Sequence, residues 1–132
     1  MLPLAGASPL DDDKPTLKVK APRMNFMRPT MPNQRQRSSI TVRVTAEIEN
    51  LSKVSPENME QYYCLEEVWE WDDDTESFYE PDCEPYEEGM ELKRFFSSSH
   101  QYRWPGNYQV ELRLQREGKT VLFGKASVQI RS

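Results

Sequence analysis

The chain has 132 residues, of which 36% are hydrophobic, 11% aromatic and 30% charged, and its formal net charge at pH 7 is −5. This length and aromatic content indicate one globular domain with a compact core rather than a wholly disordered chain. No apolar run reaches the ~18 residues that a membrane-spanning helix needs, so we expect a chain that does not span a membrane.

The charge is divided between two segments of the sequence. From Lys14 to Arg43 there are eight basic residues and no acidic ones, whereas Glu57 to Glu91 holds fifteen acidic residues and no basic ones. Such an asymmetry indicates either a basic arm for an acidic partner, or two segments that face each other or contact only solvent. Because the domain is acidic and repels phosphate, we expect no nucleic-acid partner.

Residues 1–37 are predicted to form an extended, proline-rich, basic arm, and residues 38–132 a folded domain. The recurring prolines exclude a helix in the arm and disfavour a central strand. Leu17 and Val19 alternate with lysines, which predicts one short edge strand. The apolar side chains of the arm either pack onto the core or dock on a partner. The expected partner-binding residues of the arm are Arg23, Met24, Phe26, Met27 and Arg28.

Alternation of apolar and polar residues predicts three strands. Residues 39–50 place every second side chain, from Ile40 to Ile48, on one apolar face, and residues 107–115 and 120–131 show the same period. Between the last two, Arg116-Glu-Gly-Lys119 predicts a tight turn with a glycine in the left-handed conformation.

The remaining segments predict less regular structure. Residues 53–62 are polar and predict a loop with one helical turn. Residues 63–71 predict a strand that starts late or carries a bulge, because Glu67 interrupts its apolar face. We expect a long acidic loop at 75–90 and a strand at 91–97. Strands at this spacing, with turns and no amphipathic helix between them, predict an all-β sandwich or barrel.

Two segments carry a family resemblance. Trp69-Glu-Trp-Asp-Asp-Asp-Thr75 follows the pattern Trp-Asp-Phe-Gly-Asp-Gly and then Ser or Thr, and the segment from His100 to Leu112 follows His-x-Tyr-x-x-Pro-Gly-x-Tyr-x-Val-x-Leu. On these segments the chain resembles the PKD family, immunoglobulin-like domains named for the polycystic-kidney-disease protein. The resemblance covers about residues 38–132 and implies an immunoglobulin-like β-sandwich. The matching positions include Trp69, Trp71, Asp73, His100, Tyr102, Pro105, Gly106 and Tyr108.

The resemblance implies structural roles for several of these residues. Trp69 is expected to be the buried central tryptophan, and the Tyr108 hydroxyl to bond back to upstream backbone like the corner tyrosine of immunoglobulin domains. His100 is expected to make a structural hydrogen bond. Asp72 and Asp74 stand where the family has glycine, and aspartate tolerates the left-handed conformation better than most residues.

Cys64 and Cys83 are the two cysteines of the chain. In an oxidising compartment they predict a disulfide that closes a loop of about 20 residues, worth on the order of 3 kcal/mol. The alternative is a pair of thiols in a reducing cytosol. We favour the disulfide and therefore an extracytoplasmic location, whether secreted, periplasmic or at the cell surface.

The sequence offers no set of residues with the spacing of a catalytic site, so we expect no enzymatic activity. A lone histidine needs a placed nucleophile and carboxylate to act in catalysis. We expect no cofactor other than calcium, for which Asp72, Asp73 and Asp74 supply hard oxygen ligands at a turn where some PKD-like domains bind this ion. The alternative interpretation of these carboxylates is a solvated acidic loop.

We therefore expect a non-catalytic extracytoplasmic domain that binds a protein or serves as an accessory subunit of a larger assembly, docking through its arm and acidic loop. The alternative function is a carbohydrate-surface or adhesion module. Exposed aromatic side chains would then form the binding platform, with Tyr62, Tyr79, Tyr86 and Trp104 as the candidates.

Overall fold

The computed structural model describes residues 14–25 and 39–131, and strands dominate this part of the chain. Two short 3-10 helices, Leu51–Lys53 and Pro56–Tyr62, lie between strands. The strands are β1 (Thr16–Lys20), β2 (Arg23–Asn25), β3 (Ile40–Glu49), β4 (Glu66–Glu70), β5 (Glu76–Tyr79), β6 (Phe95–Tyr102), β7 (Gly106–Arg116) and β8 (Lys119–Arg131). The predicted all-β fold is confirmed.

These strands form two sheets. Sheet A has the order β1-β3-β6, and sheet B has the order β2-β8-β7-β4-β5. Neighbouring strands are antiparallel except β2, which runs parallel to the end of β8. Among the described residues no helix has the length and apolar character needed to cross a membrane.

The core lies between the two sheets, because one cluster of buried side chains draws on both. The alternation predicted for β3 and β7 is confirmed, and in β8 Val128 and Ile130 also point into this cluster, whereas Phe123 of β8 is exposed on the outer face. The largest fully buried side chains of the cluster are Trp69, Trp71, Tyr102, Ile48, Leu112 and Leu114.

The described part of the predicted arm contributes one strand to each sheet. The edge strand predicted from Leu17 and Val19 is present as β1, which pairs with β3. The next segment, β2, crosses to sheet B, and the Met24 side chain packs against the core. Phe26, Met27 and Arg28 lie outside the described residues.

Two predicted boundaries were wrong. The expected loop at 75–90 begins with strand β5, because Val68 of β4 pairs with Phe78 and Ser77 accepts a hydrogen bond from the Trp71 indole. We keep the term acidic loop for residues 80–90. The strand expected at 91–97 instead runs over Phe95–Tyr102, where a serine-rich sequence is held by the ladder to β3.

Strand β4 starts late, at Glu66, which is the first of the two predicted alternatives for the segment 63–71, and it carries no bulge, since its pairing with β5 and β7 has no register shift. The interruption at Glu67 has another cause. Its side chain turns into the protein and is only 5% exposed. The carboxylate accepts a hydrogen bond of 3.0 Å from Trp69 Nε1 and pairs with Lys93 at 3.5 Å.

The turn between β7 and β8 takes the predicted form. Glu117 and Gly118 both have positive φ, 52° and 80°, and Arg116 pairs directly with Lys119. Two central residues with positive φ give the primed turn whose twist matches a two-residue hairpin.

Gly124 of β8 is a point of close contact between the sheets. A Cβ atom there would lie 2.6 Å from the Leu17 carbonyl oxygen and 2.9 Å from Val19 Cγ2. The first of these atoms is backbone, so β1 itself would have to move to accommodate a side chain.

We expect Gly124→Ala to lower the free energy of unfolding by about 1–3 kcal/mol, because it overpacks the junction of β1 and β8. Urea titration followed by tryptophan fluorescence measures the effect. Lys125→Ala, on the neighbouring exposed residue, is the control and should change stability by less than about 0.5 kcal/mol. Equal stability of the two variants would contradict the close packing.

Candidate functional site

The two sequence segments that carry the family resemblance meet in the core. Trp69 stacks on Trp71 with ring centroids 5.5 Å apart, and Trp71 stacks on His100 at 4.7 Å. His100 meets Tyr102 edge-on at 4.8 Å, and Tyr102 stacks on Tyr108 at 4.0 Å. These five rings, which we call the aromatic column, join β4 and β7 of sheet B to β6 of sheet A.

The indole nitrogens and the tyrosine hydroxyls of the aromatic column all have hydrogen-bond partners. Tyr102 Oη donates to the carbonyl oxygen of Trp71 over 2.7 Å, and Tyr108 Oη donates to that of Trp104 over 2.7 Å. Among the described residues no buried side-chain nitrogen or oxygen lacks a hydrogen-bond partner. Since an unpaired buried polar group costs about 1–3 kcal/mol, this pairing fixes the orientation of the rings.

His100, Asp73 and Thr75 form a small polar cluster beside the aromatic column. His100 Nε2 lies 2.7 Å from Asp73 Oδ2 and 3.3 Å from Thr75 Oγ1, and the Thr75 hydroxyl also donates to Asp73 Oδ1. Both oxygen partners contact the same ring nitrogen. A Ser–His–Asp relay needs the nucleophile and the carboxylate on opposite ring nitrogens, so this geometry serves as a clamp that holds the turn rather than as a proton relay.

The environment shifts the pKa of Asp73 in this cluster and the pKa of Tyr102 in the adjoining aromatic column. Partial burial raises the pKa of Asp73, but hydrogen bonds from His100 and Thr75 outweigh it and hold that pKa below its ordinary value. Burial, with a smaller contribution from the Asp73 charge, raises the pKa of the Tyr102 hydroxyl well above its ordinary value. The tyrosine therefore stays a hydrogen-bond donor, and the aspartate stays an acceptor, across the physiological pH range.

The three consecutive aspartates do not converge on a common point. Asp72 Oδ2 accepts from the Gln109 amide over 2.9 Å, whereas Asp73 faces His100 and Asp74 is exposed. Among the described residues there is no group of three or more His, Cys, Asp or Glu side chains placed to hold a metal ion. Asp72 and Asp74 both have φ of 66°, the left-handed conformation that glycine supplies in the PKD pattern.

The acidic loop is fastened at its base. Cys64 and Cys83 form a disulfide, as the sequence predicts, across a separation of 19 residues. Nearby, Tyr63 Oη donates to the carbonyl oxygen of Glu84 over 2.5 Å, and its ring meets that of Tyr86 at 5.3 Å. These contacts hold the loop against the start of β4.

Two open acidic grooves lie at opposite ends of sheet B. The first, of about 490 Å³, is lined by five carboxylate side chains and one lysine: Glu70, Asp72, Asp74, Glu76, Glu111 and Lys125. The second, of about 590 Å³, lies beside the disulfide. Its carboxylate residues are Glu60, Glu66, Glu80, Glu84 and Glu117, with Arg116 as its cation.

A mixed apolar row crosses the outer face of sheet B between the two grooves. Register places Phe78, Val68, Arg113 and Phe123 side by side on adjacent strands. Phe78 and Phe123 are 56% and 55% exposed. The Arg113 side chain lies on this face and donates a hydrogen bond of 2.9 Å to the Glu70 carboxylate. We call this row, with the two grooves, the acidic face.

The four aromatic candidates for a carbohydrate platform do not share one surface. Trp104 lies next to Gly106 at the start of β7, whereas Tyr79 pairs with Glu67, which pairs with Leu114 near the other end of β7. About 26 Å of strand separates the two ends at a rise of ~3.3 Å per residue. Tyr62 and Tyr86 are only partly exposed, Tyr62 against the core and Tyr86 against Tyr63.

Sequence reasoning missed several residues of this region. Ser77, which accepts the indole hydrogen bond of Trp71, and Arg113 on the acidic face were not singled out, and Glu67 was noted only as an interruption of an apolar face, not as the acceptor for the Trp69 indole. The sequence contained one signal for these hydrogen bonds, which is the Glu67 carboxylate at an inward position of β4. A buried Glu next to Trp implies a donor within reach, because an ionised buried carboxylate requires partners.

No family model, no curated protein and no solved structure matches this chain.

We expect Tyr102→Phe to destabilise the protein more than Tyr108→Phe, although each removes one hydroxyl. The first leaves the buried Trp71 carbonyl without its partner and should cost about 1–3 kcal/mol; the second acts at a half-exposed site and should cost about 0.5–1.5 kcal/mol. Paired urea titrations measure both. The reverse order would contradict the placement of Tyr102 at the centre of the aromatic column.

We expect Asp73 to contribute to acid denaturation. Its folded-state pKa lies below the ordinary value of 3.8, so its ionised form stabilises the fold above that pH, and this stabilisation is lost as the pH falls through the folded-state pKa. Asp73→Asn should therefore be less stable than the natural sequence at neutral pH, and the difference should shrink in acid.

Urea titrations from about pH 7 to about pH 2.5 measure this dependence. Asp82→Asn, at an exposed position of the acidic loop, controls for the loss of one negative charge. A constant stability difference between Asp73→Asn and the natural sequence over the whole pH range would contradict the role of the His100–Asp73 contact.

Proposed function

We propose that this chain is an immunoglobulin-like domain of the PKD type that binds a protein partner outside the cytoplasm and performs no chemistry. The strand order supports the fold assignment. The first strand is divided between the sheets, β1 beside β3 and β2 parallel to the last strand, as in immunoglobulin-like sandwiches. The hydrogen bond from Tyr108 to upstream backbone corresponds to the tyrosine corner of that fold.

The observation that carries the binding function is the acidic face. Its carboxylates lie on strands and on a disulfide-fastened loop, so a partner would meet a preorganised surface. Within residues 14–25 and 39–131, Glu76, Glu80 and Glu84 have no ion pair. Carboxylates placed in this way speed association with a basic surface and select against acidic ones.

The apolar row supplies the apolar contact surface that the carboxylates do not provide. Interfaces draw most of their binding energy from aromatic and arginine side chains near the centre, surrounded by a polar rim. Phe78, Phe123 and Arg113 lie at the centre of the acidic face, and the two grooves form its rim. A partner of this chain would therefore present apolar side chains flanked by lysines or arginines.

The arm belongs to the same proposal. Arg23 and Met24 lie on β2 at the opposite edge of sheet B, so the arm and the acidic face would engage separate parts of a larger assembly. The disulfide supports a location outside the cytoplasm, because such bonds persist in oxidising compartments.

The test begins with crosslinking and mass spectrometry in native extract, which identifies the neighbouring protein. Binding of that purified protein is then measured for Phe78→Ala/Phe123→Ala and for Glu80→Gln/Glu84→Gln. We expect each to weaken binding at least about tenfold, the first by removing apolar anchors and the second by removing charge. The charge variant should also reduce the dependence of affinity on salt concentration.

Glu47→Gln/Glu49→Gln, on the outer face of sheet A, is the matched control for charge and should bind like the natural sequence. Phe26→Ala/Met27→Ala/Arg28→Gln tests the arm without removing β1 and β2, which deletion of the whole arm would do. Unchanged affinity of both acidic-face variants would overturn the proposal. Retention on a polysaccharide matrix would instead support the carbohydrate alternative.

A further inference from the structure

The two sheets have four edge strands within the described part of the chain: β1 and β6 in sheet A, and β2 and β5 in sheet B. An edge strand exposes unpaired backbone N–H and C=O groups, which form a template for pairing with another chain. Natural proteins block such pairing with charges, prolines, bulges or very short strands. The four edges differ in how they are protected.

Three of the edges carry such protection. Strand β1 has outward lysines at Lys18 and Lys20. Strand β2 spans three residues and follows Pro22. Strand β5 spans four residues, starts at Glu76 and is followed by Glu80 and Pro81.

Strand β6 has none of these features within its own eight residues, and the charges that flank it are Lys93, Arg94 and Arg103. It is eight residues long, its sequence FFSSSHQY contains no Asp, Glu, Lys, Arg, Pro or Gly, and its ladder to β3 shows no register shift. Phe95 is 59% exposed at its start, and its single titratable imidazole, His100, is turned into the aromatic column. A long, flat, uncharged edge of this kind invites strand pairing.

The hydrogen-bond pattern shows which residues of β6 face the open side. The Ile48 amide donates to the Arg94 carbonyl over 2.9 Å, just before the ladder begins. Because hydrogen-bonded and non-hydrogen-bonded pairs alternate in an antiparallel ladder, Phe96, Ser98, His100 and Tyr102 bond to β3. The outward-facing backbone groups belong to Phe95, Ser97, Ser99 and Gln101.

We propose that β6 pairs in antiparallel orientation with β6 of a second copy of this chain, forming a two-fold symmetric dimer with one continuous six-stranded sheet. With the axis at Ser98, Ser97 of each copy lies opposite Ser99 of the other, and Phe95 lies opposite Gln101. All four outward-facing residues of each copy then find backbone partners, and no like charges meet within the strands. Serine pairs and aromatic contacts across strands are favourable.

Pairing of β6 with a second copy gives a closed dimer, whereas open-ended addition of further strands to the sheet is opposed at its other edge. Two-fold pairing uses the edge of each copy once and leaves no unpaired β6. The combined sheet then ends on both sides with β1, where Lys18 and Lys20 oppose further addition. Beyond the strands, Lys93 would approach Arg103 of the other copy, and the pairing of Lys93 with Glu67 at 3.5 Å reduces that repulsion.

The first test uses the natural sequence without any substitution. Sedimentation equilibrium of the full chain over a wide concentration range should show a reversible monomer–dimer equilibrium. Amide hydrogen exchange measured by NMR should slow with rising concentration at Phe95, Ser97, Ser99 and Gln101. A monomer at every concentration, or a dimer in which these four amides gain no protection, would overturn the proposal.

The second test places charge on the edge. Ser97→Glu/Ser99→Glu sets carboxylates opposite each other across the two-fold axis and should raise the dimer dissociation constant at least about tenfold. Glu at 97 also keeps a partner for Arg43, which donates to Ser97 Oγ at 3.2 Å. Thr41→Glu/Thr45→Glu, on the same face of the central strand β3, is the matched control and should leave dimerisation unchanged.

A third test mixes two variants of opposite charge at the edge of β6. Ser97→Lys/Ser99→Lys alone should be monomeric, and mixing it with the glutamate variant should restore a heterodimer detected by native mass spectrometry. Ser99→Pro removes one outward N–H without touching the ladder to β3, and provides a second disrupting variant should the charged ones unfold. A dimer that persists in the folded edge variants would show that another surface is responsible and overturn the assignment to β6.

Discussion

The aromatic column is the contact on which the rest of the structure depends. Trp69, Trp71, His100, Tyr102 and Tyr108 come from three strands of two sheets, and each ring except the terminal ones lies between two others. The polar atoms of these rings bond to backbone or to side chains in the adjoining turns. Moving one ring would therefore disturb the turn after β4 and the start of β7 together, which makes the column a joint between the sheets as well as part of the core.

Predictions from sequence succeeded where one face of a strand is buried and failed at the edges. In β3, β7 and the end of β8 the alternation is enforced because every second side chain enters the core. Strand β5 and the serine run of β6, residues 97–99, bury few side chains and are held by backbone bonds to a neighbour, so their acidic and serine-rich sequences carry no apolar period that a pattern search would find. The family motifs brought distant rings into one cluster, but they do not include Glu67 and Ser77, which hold the indoles.

The outer faces of the two sheets have different chemistry and different proposed uses. Sheet B presents carboxylates around a phenylalanine–arginine row, suited to a basic partner with apolar anchors. Sheet A presents serine and threonine side chains together with lysine, arginine and glutamate, and ends in the uncharged edge of β6. Because the dimer proposed through β6 leaves the outer face of sheet B uncovered, self-association and partner binding would be compatible. A two-fold dimer would then display two acidic faces and bind a multivalent partner more tightly than one copy.

The placement of β1 and β2 has a consequence for the timing of folding during synthesis. The Leu17 backbone lies in close contact with Gly124. Arg23 to Asn25 pair with the last residues of β8. The ladder partner of β1 is β3, but the contact of β1 with Gly124 and the whole pairing of β2 depend on β8, which is made much later. The hairpin of β7 and β8, closed by a two-residue turn, forms locally and quickly, but β2 cannot join sheet B before the last residues of β8 have been made. In the nascent chain β1 can pair with β3 early, whereas the Met24 side chain of β2 stays uncovered until β8 has been made, a period in which chaperones or a membrane-translocation channel would find it accessible.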